Sequence, residues 1–81
     1  MQVYILHFSD STHYTGITTR SVLERLAEHS TNHRGRVWQK RSKGIGYVVG
    51  AIYQTDNPSD EHFYKRNVKR YCEVCIGEKD A

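Results

Sequence analysis

The chain has 81 residues, nine acids against twelve Lys and Arg, and a net charge of +3 at neutral pH. That length makes one domain, near the lower limit for folding without metal or disulfide support, with no room for a separate recognition domain. No stretch approaches the ~20 apolar residues of a membrane span, and the start Met1-Gln2-Val3-Tyr4-Ile5-Leu6-His7 lacks the charged leader and apolar length of a secretory signal. The expectation is a soluble, intracellular protein of the cytoplasm or nucleoid, with no membrane partner.

Two short apolar runs, about 2–8 and 13–18, flank the polar turn Ser9-Asp10-Ser11-Thr12 and read as a β-hairpin. Ser21-Val22-Leu23-Glu24 fits a capping box at the start of a helix, with Leu23, Leu26 and Ala27 as its expected buried stripe. Residues 30–35 read as a loop. Val37 and Trp38 anchor a short helix that Gly44 and Gly46 end. Tyr47-Val48-Val49-Gly50-Ala51-Ile52-Tyr53 is the best strand by β-branched and aromatic content. Asn57-Pro58-Ser59-Asp60 starts a last helix of about 58–71, with Pro at its first position. The expected fold is α+β: a small, mainly antiparallel three-stranded sheet flanked by helices. Its domain is expected over 1–75, with a loose tail over 76–81.

Chemistry concentrates in the first thirty residues. The hairpin places Tyr4 on one strand and Tyr14 on the other, with Gly16 close by. Arg25 and His29 are four apart in a helical pattern and share one face. Two phenols, a guanidinium and an imidazole from adjacent elements can converge on a phosphate. Taken singly, each has an ordinary explanation: strand aromatics for Tyr4 and Tyr14, a bridge to Glu24 or Glu28 for Arg25, a helix C-terminal cation for His29.

Taken together, Val3-Tyr4-Ile5, Tyr14-Thr15-Gly16 and Arg25-Leu26-x-x-His29 resemble the catalytic half of the GIY-YIG nuclease family, most of all its small stand-alone members. Val3 stands where the first triplet has glycine, and Thr15 where the second has isoleucine. The resemblance covers residues 3–29, weakens over 30–71 and is absent beyond. It implies a divalent-metal-dependent endonuclease, a hydrolase acting on DNA phosphodiester bonds. The implied catalytic residues are Tyr4, Tyr14, Arg25, His29 and Glu61, with Glu61 holding one Mg²⁺ or Mn²⁺. The family's metal-binding glutamate comes from a helix after the third strand, which is where Glu61 lies. The plain alternative for Glu61 is a first-turn acid complementing the helix dipole and pairing with Lys65. At the level of function, the alternative is a catalytically inactive DNA-binding or regulatory module of the same fold.

Residues 32–55 contain no acid but carry Arg34, Arg36, Lys40, Arg41 and Lys43, and the last helix adds Lys65, Arg66, Lys69 and Arg70. These are the expected DNA contacts, foremost among them Arg34, Arg36, Lys40, Arg41, Lys43, Lys65 and Lys69. So little surface favours a branched substrate or one delivered by a protein partner. Cys72 and Cys75 form a lone C-x-x-C where a structural zinc needs four ligands. His62 or another chain is left to complete a site, and reduced, structurally minor thiols are the simpler expectation.

Overall fold

The computed structural model describes the backbone of residues 1–80 and the side chains of residues 1–78. The elements run β1 (Gln2–Phe8), β2 (His13–Thr18), α1 (Val22–Thr31), α2 (Arg36–Ser42), β3 (Tyr47–Gln54), α3 (Asp60–Arg66), α4 (Val68–Tyr71) and α5 (Glu73–Asp80). The fold is α+β, with a three-stranded antiparallel sheet in the order β2-β1-β3. As the central strand, β1 is covered on both faces, which its unbroken burial from Val3 to Phe8 requires.

Side chains alternate across a strand, and β1 divides its contacts accordingly. Tyr4, Leu6 and Phe8 build one core with Val22 of α1 and Val37 of α2. Ile5 faces the other way, into a core with Ala51, Cys72, Val68 and Tyr71. On that second face Tyr64 of α3 stacks on Tyr53 of β3, with ring centroids 4.8 Å apart, and the Tyr53 hydroxyl donates to the Tyr71 carbonyl at 2.6 Å.

Turn chemistry fixes the hairpin. Asp10 accepts from the backbone N–H of Thr12 at 3.1 Å and from its hydroxyl at 2.6 Å, while Ser11 takes a left-handed φ of 69°. Lys40 of α2 then clamps the turn through Asp10 Oδ2 at 2.6 Å, which holds the Asp10 carboxyl well below the usual carboxylate range. Between Ile5 and Leu6 the register with β3 slips, because Ile5 pairs with Ala51 and Leu6 with Val49. Gly50 is the extra residue of that bulge.

Three expectations are corrected. The buried stripe of α1 is not Leu23, Leu26 and Ala27: Leu23 is 80% exposed, Ala27 is exposed, and Val22 and His29 are buried. The inward face runs through Val22, Leu26 and His29, about one residue round from the purely apolar choice, because it carries the imidazole. The single helix expected over 58–71 is two, broken at Asn67, whose side chain donates to the Phe63 carbonyl at 2.9 Å. Residues 76–80, expected as a loose tail, belong to α5; Ala81 lies outside the described residues.

Candidate functional site

Hairpin register decides which side chains meet. Leu6 pairs with Tyr14 and Tyr4 with Gly16, so both tyrosines stand on the face covered by α1. Gly16 is needed there for space: a Cβ at that position would overlap the hydroxyl and ring of Tyr4. Ser21 caps α1 by accepting from the Glu24 N–H at 3.1 Å, the first half of the expected capping box. One and two turns on, Arg25 and His29 reach the tyrosines.

The Tyr4 hydroxyl and His29 Nε2 share a hydrogen bond of 2.7 Å. The Tyr14 ring lies 5.1 Å from the His29 ring and 6.2 Å from that of Tyr4, centroid to centroid. The Arg25 guanidinium and the Tyr14 phenol both lie beside the Tyr4 hydroxyl. Four of the five expected catalytic residues therefore form one cluster.

Exposure divides the cluster in two. Tyr4 has no exposed surface and His29 only 4%, whereas Tyr14 and Arg25 are half-buried and reach solvent. Burial pushes the Tyr4 phenol above its ordinary pKa, Tyr14 pushes the same way, and the nearby Arg25 opposes both without prevailing. Burial, assisted by Arg25, lowers His29 below its ordinary value. Tyr4 is thus a neutral phenol and His29 a neutral imidazole near pH 7.

Arg25 also makes the bridge that its plain explanation requires, to Glu28 Oε2 at 2.8 Å, and Glu28 is shared with Arg20 at 2.5 Å. These hydrogen bonds, that of Arg25 foremost, hold the Glu28 carboxyl below its usual range. Glu28 orients the guanidinium over the phenols.

Among the described residues no hydrogen bond or ion pair joins Glu61 to the cluster. It lies half-buried in the first turn of α3, and among the described residues its carboxylate has no hydrogen-bond or ion-pair partner. The pairing with Lys65 is not formed. Even so, α3 follows the outer edge of β2: Lys65, one turn after Glu61, lines a cleft of about 290 Å³ with His13, Tyr14, Thr15, Arg36 and Val68. That cleft joins the exposed side of Tyr14 to α3.

Of the expected DNA contacts, Arg34, Arg36, Arg41, Lys43, Lys65 and Lys69 are exposed. Lys40 is the correction. Its ammonium is committed to Asp10 and Thr12 and lies 5.5 Å from the Phe8 ring centroid, so it serves the turn.

The sequence reading missed a second cluster. His7 and His13, paired across the hairpin, meet Cys72 and Cys75 on the opposite face from the tyrosines. Exposed His62 takes no part. The C-x-x-C was the visible signal; its partners lie 59 to 68 positions away and are joined to it only by the fold.

No protein-family model, curated protein or solved structure matches this chain.

Proposed function

We propose that the protein is an endonuclease that hydrolyses DNA phosphodiester bonds with the help of one divalent ion. The observation that carries this reading is the buried Tyr4–His29 hydrogen bond beneath a solvent-facing Tyr14 and Arg25. A phenol and an imidazole, both neutral and hydrogen-bonded, form a path for a proton; a guanidinium at the rim suits a phosphate.

In this mechanism Arg25 binds the scissile phosphate and offsets the charge growing on its non-bridging oxygens. Tyr14 orients the attacking water. With Nδ1 protonated, His29 Nε2 is free to accept, so a proton leaving the water passes through the phenols as Tyr4 gives its own to His29. No phenolate forms, which suits a Tyr4 whose pKa is raised. His29 is thereby the base, and Tyr4 the relay between it and the water.

The donor set at Glu61 fits a hard cation: one carboxylate with no protein partner, leaving the other positions to water and phosphate. A bound Mg²⁺ or Mn²⁺ would supply Lewis-acid stabilisation of the leaving oxygen. The exposed basic residues around the cleft, Arg36 and Lys65 above all, would hold the DNA backbone.

Glu61→Gln tests the reading. The variant is expected to lose metal-dependent cleavage while holding DNA at least as tightly as the parent in a gel shift, since one negative charge is gone. If Glu61 is only a helix-start acid, cleavage persists and stability falls by a few tenths to about 1 kcal/mol.

A further inference from the structure

We propose that His7, His13, Cys72 and Cys75 form a structural zinc site that fastens the C-terminal helices to the β1–β2 hairpin. This assignment does not depend on the nuclease reading.

Geometry comes first. His7 Nδ1 lies 3.0 Å from His13 Nε2, 3.6 Å from Cys72 Sγ and 3.7 Å from Cys75 Sγ, and His13 Nε2 lies 3.2 Å from Cys75 Sγ. All four ligand atoms fall within 4.8 Å of one another. With Zn–S of ~2.3 Å and Zn–N of ~2.0–2.1 Å, a tetrahedral centre has ligand-to-ligand edges of about 3.3–3.8 Å. Those four separations sit at or slightly inside the edges, and the other two pairs lie within 4.8 Å.

Chemistry selects the ion. Two thiols and two imidazoles make a borderline-soft S₂N₂ set, which suits Zn²⁺ and is foreign to Mg²⁺. Each thiol gives up one proton on binding, so the two thiolates balance the charge of the ion. Four protein ligands close the shell, the mark of a structural centre. The free cysteines are not joined to each other, and Cys72 is fully buried.

The fold makes room for this arrangement. Gly50, the bulge residue of β3, lies under Cys72, and a Cβ there would stand 2.6 Å from its Sγ. His7 and His13 face each other in the register, so one strand pair offers two imidazoles at one height. An open cleft bordered by His7, His13, Cys75 and Ile76 gives the ion a way in. A zinc clip also answers the shortage of core in a chain of 81 residues.

The test is metal analysis and Co²⁺ substitution of the full-length protein. About one zinc per chain is expected, with Co²⁺ giving tetrahedral visible bands and a thiolate charge-transfer band. Cys75→Ser and His13→Gln should lose the stoichiometric metal, His62→Gln and Glu61→Gln should keep it, and a strong chelator should lower Tm. Should a ligand variant not fold, the Co²⁺ spectrum of the parent still reads the ligand set. The proposal is overturned by a folded parent that takes up no stoichiometric zinc, by a Co²⁺ complex without thiolate bands, by metal retained in both ligand variants, or by a Cys72–Cys75 disulfide in protein purified under reducing conditions.

Discussion

A single imidazole decides both the packing and the chemistry of α1. His29 is buried against Tyr4 and pays for that position by staying neutral: burial and Arg25 both lower its pKa. The sign of the pH effect follows. His29 accepts a proton only in its neutral form, so cleavage should rise with pH through a value below ~6.5 and be level at neutrality. Stability should change in the same direction, since the unfolded chain binds the proton more readily and the native state weakens as pH falls below ~6.5. A pH–rate profile with its rising limb near 10 would instead assign the base to a free phenol. The same residue explains the misread stripe. Apolar pattern alone selects Leu23, Leu26 and Ala27, yet the face that meets the sheet is the one that carries His29. Local rules fail most readily where a side chain is kept for its chemistry.

Among the elements, the hairpin was the most legible and bears the most. Alternation and the Ser9–Thr12 turn predict both strands over the residues they occupy, 2–8 and 13–18. Its consequence needed the register: one face presents Tyr4 and Tyr14 to α1, the other His7 and His13 to the cysteines. Pairings of that kind carry no local sequence mark, which is why the C-x-x-C looked solitary. The break at Asn67 was equally hidden, because an asparagine does not exclude helix and only its bond to the Phe63 carbonyl ends the turn. Gly16→Ala places a methyl against the Tyr4 hydroxyl and ring, so overpacking should cost about 1–3 kcal/mol in stability. Because Tyr4 must shift away from His29, cleavage measured on the folded fraction should drop as well. A thermal melt alongside an activity assay checks both; an unchanged cleavage rate would remove Tyr4 from the mechanism.

Across the whole molecule, the sheet separates two kinds of site: a phenol–imidazole–guanidinium cluster on one face and a sulfur–nitrogen cluster on the other. The class of fold followed from the order of the elements in the sequence, whereas the cleft shared by Tyr14 and Lys65 of α3 did not, since it depends on where α3 returns to the sheet. Charge acts at this scale too. Arg34, Arg36, Arg41, Lys43, Lys65 and Lys69 are exposed, and each that meets a phosphate should release a counterion. The logarithm of the DNA-binding constant should then fall linearly with that of salt, with a slope of roughly −0.9 per contact. Lys40→Gln should leave that slope unchanged and lower Tm, because Lys40 is committed to the hairpin turn.

Arg25→Ala bears most directly on the shared site. Arg25 is half-buried at the solvent side of the cluster, and Glu28 keeps Arg20 as a partner when it is lost, so the fold should survive with a cost of about 0–1 kcal/mol. The measurement is nicking of supercoiled plasmid, and cutting of a branched duplex, by parent and variant at equal Mg²⁺, with EDTA as the blank. The parent should cut only with the metal, and the variant should be slower by roughly 10²–10³ while melting near the parental temperature. A folded variant that cuts at the parental rate, or a parent that cuts neither substrate with Mg²⁺ or Mn²⁺, would contradict the account.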